Sequence, residues 1–471
     1  MGVGVSSWRL ARAVSQAGQL GVVSGTGLDT LFVRRLQDGD PGGDLRRAAA
    51  HFPIPGVSDR VMRRHFRPDG RGGAPYRALT MYQQGVSHER EQITMLACFV
   101  EVWLAREGHD GLVGINLLTK IQLPTLASLY GAMLAGVHVV LMGAGIPREI
   151  PAALDNMAAH RPATLHLDVE GEAADRSEVM RLDPADHLPA PTVPLRRPLF
   201  LAIIASSLLA HVLAKKASGR VDGFVIEGPT AGGHNAPPRG EKRFNDRGEP
   251  LYGERDVVDL DKVKPFGLPF WLAGGYGRPG RLAEAQAQGA AGIQVGTAFA
   301  FCDESGLTPE LKASVLADVA RGAVEVVTDA QASPTGFPFK VATWSVDPAA
   351  GMVRKRVCDL GYLRSAYRRE DGELGYRCPS EPVDAFVKKG GDASDTVGRA
   401  CLCNALMATV GHGQERPDGS VEPPMVTAGD DLVQLQPLMA GRARYTAADV
   451  IAYLLADAPI VEAELALVAL P

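Results

Sequence analysis

The residues best suited to chemistry lie in one loop, where Gly232 and Gly233 are followed at once by His234. Paired glycines tolerate positive φ angles and let a backbone approach a ligand closely. A histidine beside them can act as an acid or a base near neutral pH. Because the apolar segment 223–226 precedes the loop, we expect His234 at the carboxyl end of a sheet strand. Taken alone, the imidazole could equally hydrogen-bond to its own loop.

Two further apolar segments end in small residues that could bind a phosphate. Segment 269–275 ends in Gly274 and Gly275, and segment 292–297 ends in Gly296 and Thr297. Such loops after parallel strands can offer backbone N–H groups to an anion, with the Thr297 hydroxyl as a further donor. In (β/α)8 barrels the phosphate site usually follows strands seven and eight. A plain tight turn is the alternative explanation for the two glycine pairs.

These loops need a parallel sheet to hold them together, and the chain shows the required alternation of strand and helix patterns. Eight apolar segments read as strands: 2–5, 20–23, 112–115, 137–142, 199–205, 224–227, 270–273 and 293–295. Alternating strands and helices predict a parallel α/β sheet. Eight such units favour a closed (β/α)8 TIM barrel over an open, doubly wound sheet.

Two long stretches do not follow the alternation. Segment 28–110 is rich in charge and contains a helical pattern over 89–106, so we expect a mostly helical insertion after strand 2. Segment 346–471 contains no further strand–helix units, and we expect a C-terminal extension that wraps on the barrel. The barrel itself is then predicted to comprise residues 1–27 and 111–345.

Composition limits the partners that this chain is expected to have. It has 471 residues, 46% of them hydrophobic, and a formal net charge of −5. This balance gives no reason to expect nucleic acid or an anionic membrane as a partner. The most apolar run, 199–214, is shorter than the roughly 20 residues that a membrane span needs. Without a secretory leader pattern at its start, the chain is expected to be cytoplasmic, with its six cysteines as thiols.

The cysteines after residue 350 raise the question of a metal site. Cys358 and Cys378 are followed by the closely spaced pair Cys401 and Cys403, but the C-x2-C spacing of zinc ribbons is missing. We therefore predict that no metal is bound and that these cysteines are buried thiols. Cys302 follows the eighth predicted strand and could be either a pocket thiol or a packing residue.

Several motifs together resemble those of the nitronate monooxygenase (2-nitropropane dioxygenase) family, to which flavin-dependent enoyl-thioester reductases are related. The resemblance covers roughly the first 345 residues apart from the insertion. The motifs are MGVGVS at 1–6, AVSQAGQLGVVSGTG at 13–27, GINLLTKIQ at 114–122, AGGHNAPPRG at 231–240, LAGGYG at 272–277 and IQVGTAF at 293–299.

This resemblance implies an FMN-binding barrel without a metal. It implies that Gly2 lies against the flavin and that Asn116 hydrogen-bonds to the isoalloxazine edge, although Asn116 could instead cap its strand. His234 would face the flavin as the base. Lys120 could place a cation where the reduced ring carries charge, or could be a solvated lysine. The phosphate and ribityl chain would be held by Gly232, Gly233, Gly274, Gly275, Gly296 and Thr297.

The resemblance also implies a function, with rivals. The first hypothesis is an FMN-dependent oxidoreductase that oxidises alkyl nitronates, or similar acidified carbon acids, with O2. The second is an enoyl-thioester reductase that uses NAD(P)H and receives its substrate from an acyl carrier protein. The third is a barrel without catalysis that binds a partner. A homodimer is one of the assemblies left open by the sequence. The sequence 235–238, Asn-Ala-Pro-Pro, departs from the short Arg-Gly that follows the histidine in the simplest members.

Overall fold

The computed structural model describes residues 2–172, 178–189, 193–347 and 354–457. The ends of the predicted extension, 348–353 and 458–471, and Met1 lie outside these ranges. The described strands, in chain order, are β1 (Gly21–Ser24), β2 (Val113–Leu118), β3 (Val139–Gly143), β4 (Ala163–Leu167), β5 (Val169–Glu170), β6 (Glu178–Leu182), β7 (Leu199–Ile204), β8 (Gly223–Glu227), β9 (Gly233–His234), β10 (Phe270–Ala273), β11 (Gly292–Gln294), β12 (Glu325–Asp329), β13 (Phe339–Thr343), β14 (Ser365–Arg368) and β15 (Leu374–Arg377).

Among the described residues, one helix precedes β1, four lie between β1 and β2, four lie between later strands up to β11, and six follow β11. In chain order they are α1 (Trp8–Gln16), α2 (Leu28–Gln37), α3 (Asp44–Ala49), α4 (Val57–His65), α5 (His88–Arg106), α6 (Thr125–Leu134), α7 (Ile150–Ala158), α8 (Ser207–Lys216), α9 (Arg281–Ala287), α10 (Thr297–Ala300), α11 (Pro309–Arg321), α12 (Val383–Lys388), α13 (Leu402–Thr409), α14 (Gln436–Met439) and α15 (Ala447–Leu455). Among the described helices, none is long and apolar enough to cross a membrane.

The central sheet has seven parallel strands in the order β1-β2-β3-β7-β8-β10-β11. This order follows the chain without reversal, whereas a doubly wound sheet reverses its order at a switch point. Neighbouring strands pair residue by residue, and Asn116 of β2 lies opposite Leu141 of β3. The predicted α/β class with barrel-type winding is therefore confirmed.

The predicted count of eight strands is wrong for the described residues. Segment 2–5 forms turns, and Gly4 has a φ of +64°, which a β-strand does not accommodate. The segment nevertheless lies in the gap between the sheet's ends. Ser24 donates its N–H to the Ser6 carbonyl (2.9 Å), and Gly306 donates its N–H to the Val5 carbonyl (2.8 Å). No pairing between β11 and β1 is found in the part of the chain that the structure describes.

Between β1 and β2 the chain forms α2, α3, α4 and α5. The longest of them, α5, is capped at its N-terminus by Ser87, whose side chain accepts the N–H of Arg90, and thirteen of its residues are buried. A buried ion pair joins α5 to α2, since Arg90 Nη1 lies 2.6 Å from Asp29 Oδ2. Tyr362, from beyond residue 354, also hydrogen-bonds to Asp29. The polar network therefore links segments that are distant in sequence.

The chain after β13 packs back onto the carboxyl ends of the sheet strands. Strand β13 pairs with β12 and with β9, which contains His234. Residues 426–431, here called the strap, run beside β13, where Ala342 donates its N–H to the Val426 carbonyl (2.9 Å). The helices α10, α11, α14 and α15 share one hydrophobic cluster with strap residues. A separate, small apolar cluster fills the interior of the sheet: Val139, Leu141, Leu201, Val225 and Ala273.

Candidate active site

A cavity of about 1270 Å³ opens at the carboxyl ends of the parallel strands. It is larger than the ~300–1,000 Å³ of most small-molecule sites. Of the predicted site residues, all but Lys120 border it: Gly2, Asn116, Gly232, Gly233, His234, Gly274, Gly275, Gly296 and Thr297. The structure thus brings together residues from five loops that are up to 295 positions apart in the sequence.

His234 is held in one orientation by the loop that precedes β13. Its Nε2 lies 2.7 Å from Ser333 Oγ, and Ser333 Oγ lies 2.8 Å from Thr335 Oγ1. The Phe339 ring packs edge-on against the imidazole, with centroids 4.9 Å apart. No partner for Nδ1 of His234 is found among the described side chains and backbone groups. With Nε2–H donating to Ser333, the Nδ1 lone pair is left free for a proton.

The imidazole is neutral over the physiological range. Burial, together with the smaller effect of the nearby Lys120 ammonium, lowers the pKa of His234 to about 3. A neutral imidazole can accept a proton, whereas an imidazolium cannot. The low pKa also means that the imidazole is a weak base. Proton transfer to it therefore needs a substrate with an acidic C–H group.

Lys120 lies beside the cavity rather than in its wall. Its Nζ is 2.8 Å from the centroid of the Phe337 ring, and Phe337 borders the cavity. Burial lowers the pKa of Lys120 to about 7. No carboxylate pairs with it in the described residues. The amino group therefore changes its charge near neutral pH, close to the cavity.

The two glycine loops have the backbone geometry that anion binding needs. Gly274 and Gly275 are successive residues with positive φ, +84° and +78°. A Cβ on Gly296 would meet no atom within 4 Å. Within the described ranges, no acceptor pairs with the backbone N–H groups of Gly274, Gly275 and Gly296. These N–H groups could together bind a phosphate.

Gly232 and Thr297 have a different role from the other loop residues, because the strap covers them. A Cβ on Gly232 would lie 2.7 Å from the backbone nitrogen of Gly429, so only glycine fits this crossing. Thr297 Oγ1 accepts the N–H of Gly429 at 2.9 Å. Both residues therefore fix the strap over the glycine loops, which sequence reasoning did not anticipate.

The strap also brings a carboxylate to the glycine loop after β10. Asp431 Oδ2 accepts the N–H of Gly277 at 3.1 Å, and Asp431 borders the cavity. Burial raises the pKa of Asp431. When ionised, this carboxylate places negative charge beside the N–H groups that could bind a phosphate.

Two strand-end side chains complete the polar wall. Asn116 at the end of β2 is only 4% exposed, and its side chain has no partner among the described residues. Glu227 ends β8 and borders the cavity, also without a recorded partner within the described chain. Burial raises the pKa of Glu227 to about 7. The sequence pattern predicts Glu227 only as a strand residue, although its place just before the Gly-Gly-His loop also indicates a site residue.

The extension forms much of the apolar wall, which the sequence did not reveal. The apolar wall residues from α13 and α15 are Leu402, Leu406, Met407, Ile451 and Leu454. Tyr362 and Cys403 border the same space. Cys302, by contrast, is fully buried among apolar side chains, so its packing role is the one observed.

These residues fit a flavin mononucleotide. The free N–H groups of Gly274, Gly275 and Gly296 suit its phosphate, and the unpaired Asn116 amide suits the polar edge of its ring. Asp431, when ionised, carries a charge that opposes a phosphate.

Comparison with known proteins gives one family match, in the central segment of the chain. Residues 176–334 match the nitronate monooxygenase family model. The resemblance predicted from the motifs is thereby confirmed over this third of the chain. The matched segment contains His234 and both glycine loops, whereas Gly2, Asn116 and Lys120 lie outside it.

Solved structures and curated sequences add little to this family match. FabK from Thermotoga maritima is 16% identical, covers 96% of this chain and 89% of its own, and has a TM-score of 0.46. Nitroalkane oxidase from Streptomyces ansochromogenes is 17% identical, with coverages of 97% and 93% and a TM-score of 0.44. No curated sequence matches this chain. At such TM-scores the likenesses carry no argument about activity.

Proposed function

We propose that this protein is an FMN-dependent oxidoreductase of the nitronate monooxygenase type, which oxidises alkyl nitronates or similar acidified carbon acids with O2. The observation that supports it best is the position of His234: a neutral, oriented imidazole beside glycine loops with free N–H groups. The family match over residues 176–334 supports the same proposal.

The chain's own groups would hold the cofactor at three points. Gly274, Gly275 and Gly296 would bind the phosphate through backbone N–H groups. Gly233 has a φ of +85°, and a Cβ there would meet nothing within 4 Å, so this backbone leaves room for a ligand. Asn116 would hydrogen-bond to the ring edge. FMN, when bound, supplies an acceptor for the two electrons that leave the substrate carbon.

His234 would remove the α-proton from a neutral nitroalkane, with Nδ1 as the accepting atom. Ser333 would keep Nε2 protonated by accepting its hydrogen bond, so that the free lone pair points to the cavity. A nitronate has already lost this proton, and for it His234 would only position the substrate. The Lys120 ammonium would attract the nitronate, whether it binds as such or forms from the nitroalkane in the site.

The first test is the visible absorption spectrum of the purified protein, followed by anaerobic mixing with an alkyl nitronate. A flavin spectrum that bleaches on mixing is the expected result. A protein that binds no FMN, even after reconstitution, would contradict the cofactor, and a flavin that no nitronate bleaches would contradict the substrate class.

A His234→Ala variant tests the base separately from cofactor binding. Loss of proton abstraction should slow turnover of a neutral nitroalkane roughly a hundredfold or more, with little change in bound flavin. Turnover of the preformed nitronate should fall much less. Equal losses on both substrates would remove His234 from the proton-transfer step.

The size and apolar wall of the cavity favour a second candidate, an NAD(P)H-dependent enoyl-thioester reductase. A cavity of about 1270 Å³ with leucines and isoleucine from α13 and α15 has room for an acyl chain. The substrate would then be presented by an acyl carrier protein. Anaerobic bleaching by NADPH and none by nitronates would select this candidate, and the opposite pattern would select the first.

A further inference from the structure

Tyr362 joins the extension to the insertion at the wall of the cavity. Its ring borders the cavity together with the apolar side chains of Leu363 and Met407. Its hydroxyl donates a hydrogen bond to Asp29 Oδ1 and lies 2.6 Å from Thr30 Oγ1. Because the single phenol proton points to Asp29, the Thr30 hydroxyl must donate to the Tyr362 oxygen. Two residues of α2 therefore hold this hydroxyl in place.

The carboxylate that accepts the phenol proton is itself fixed by α5. Asp29 Oδ2 lies 2.6 Å from Arg90 Nη1 and 3.2 Å from Thr94 Oγ1. Asp29 Oδ1 also accepts the backbone N–H of Thr30 at 2.8 Å. The Asp29 and Arg90 side chains are only 2% and 5% exposed. Each oxygen of this buried carboxylate thus has two hydrogen-bond partners, so the anchor of the phenol is rigid.

The ring of Tyr362 lies between the cavity and a much smaller space beside this ion pair. A void of about 10 Å³ is bordered by Asp29, Thr94 and Ser128, and Tyr362 is one of the residues that border both spaces. This volume is about the least that a single water molecule needs. A ligand in the cavity therefore meets the apolar ring at this wall and not the charged pair.

We propose that Tyr362 is a specificity-determining residue for the substrate, and that α2 and α5 of the insertion serve to hold its ring at the cavity wall. For the substrate class this rests on the proposed function: the ring selects nitronates with an apolar alkyl group over nitronates of the same shape that end in a hydroxyl. A hydroxyl against this wall would lose water without gaining a partner. The phenol cannot be that partner, because Asp29 and Thr30 already occupy its hydroxyl.

A ring that is held in place also contributes to affinity. A free ring would have to be ordered when the substrate binds, and the anchor removes this cost in advance. Tyr362→Phe keeps the ring and removes the anchor, and it leaves a buried acceptor of Asp29 unfilled. We expect this variant to raise KM for an alkyl nitronate about fivefold, with kcat little changed.

The test uses two pairs of ligands whose members differ only in a terminal methyl or hydroxyl group. The first pair is the nitronates of 1-nitropentane and 4-nitro-1-butanol, and their turnover gives kcat/KM. The second pair is hexanoate and 5-hydroxypentanoate, inert carboxylates of similar shape and charge, and calorimetric titration gives their Kd without turnover. The wild-type protein should favour the methyl member of each pair roughly tenfold. Tyr362→Ala should reduce this preference to about twofold or less, because water and the polar groups beside the small void become accessible.

Two further variants keep the proposal falsifiable. Thr30→Val retains the ring and the ion pair but removes one partner of the phenol, so it should raise KM in the same sense as Tyr362→Phe even if Tyr362→Ala does not fold. Tyr367→Phe changes another tyrosine of the extension, one outside the described wall of the cavity, and should have no effect.

The possible outcomes separate this inference from the proposed function. An unchanged methyl preference in Tyr362→Ala, or an unchanged KM in both Tyr362→Phe and Thr30→Val, overturns the inference while nitronate turnover still supports the function. A fall in kcat with KM unchanged would also overturn it, since the anchor would then act on a step after binding. If no nitronate reduces the flavin but the carboxylates show the preference that depends on Tyr362, the proposed function alone fails.

Discussion

The imidazole of His234 is oriented by the hydroxyl of Ser333, 2.7 Å from its Nε2 and 99 positions away in the chain. Ser333 is itself fully buried, and its carbonyl accepts a hydrogen bond from Arg399 Nη1 at 2.7 Å. The orientation of the proposed base therefore depends on the extension as well as on the Gly-Gly-His loop.

Replacing Ser333 by Ala should impair the base without removing it. Without an acceptor at Nε2, the imidazole can take either tautomer, so only part of the protein has Nδ1 unprotonated and free. We expect kcat for a neutral nitroalkane to fall about tenfold, with KM and flavin content little changed. Steady-state kinetics with the nitroalkane and its preformed nitronate would measure this.

Ser333→Thr provides the control, because it keeps a hydroxyl at the same position and should restore most of the activity. If Ser333→Ala slows nitroalkane and nitronate turnover alike, Ser333 supports the fold of the site and does not position the base.

The loops that local patterns singled out border one cavity, but those patterns did not predict what surrounds them. The Gly-Gly-His loop consists of the adjacent residues Gly232, Gly233 and His234, and each glycine pair follows an apolar strand. A short stretch of sequence is therefore enough to predict these loops. The strap contact between Gly429 and Thr297 joins residues 132 positions apart, and no periodicity or motif encodes such a crossing. The expected first strand was wrong because Gly4 takes a positive φ that the apolar GVGV pattern does not reveal.

Lys120 should give the reaction a pH dependence on the alkaline side. Its pKa of about 7 means that the ammonium is present below that pH and is lost as the pH rises through it. If its charge attracts the anionic substrate, kcat/KM for a nitronate should fall above about pH 7 in the wild-type protein.

Lys120→Arg should extend the active range, because a guanidinium stays charged well above pH 9. Lys120→Met should be poorly active at all pH values, and the removal of a nearby cation should raise the pKa of His234. Identical pH profiles for the wild-type and Arg variants would show that Lys120 does not set the alkaline limit.

Asp431 should weaken cofactor binding by placing negative charge beside the Gly277 N–H. Asp431→Asn keeps an acceptor for that N–H and removes the charge. For a carboxylate within about 10 Å of the bound phosphate in a partly screened site, removing the repulsion strengthens FMN binding by on the order of 1 kcal/mol. This corresponds to a Kd for FMN that is about fivefold lower. Fluorescence titration of the apoprotein with FMN would measure it.

The wild-type affinity should also rise as the pH falls through the raised pKa of Asp431, while the Asn variant should show a flatter profile. Asp246→Asn, a change of the same charge on an exposed loop, is the matched control and should have no effect. Weaker FMN binding in the Asp431 variant would contradict the electrostatic argument and assign Asp431 a structural role at the strap.

His138 should make the fold sensitive to mild acid. Its Nδ1 accepts the N–H of Val113 at 3.0 Å, at the start of β2, so this nitrogen must be unprotonated in the folded state. Burial lowers the pKa of His138 to about 4, whereas a histidine in the unfolded chain has a pKa near 6.5. Between these values the unfolded state binds more protons, and the free energy of unfolding therefore falls as the pH is lowered from about 6.5 to about 4.

The midpoint of urea unfolding, measured at pH 7 and at pH 5, tests this dependence. His138→Asn retains a side-chain acceptor for Val113 but does not titrate, so the difference between the two midpoints should shrink. Other buried histidines, such as His65, whose pKa is also lowered to about 4 by burial, should leave a residual dependence. His51→Asn, at an exposed position stacked on Trp103, should leave the difference unchanged. An undiminished pH dependence in His138→Asn would mean that other groups control the acid sensitivity of the sheet.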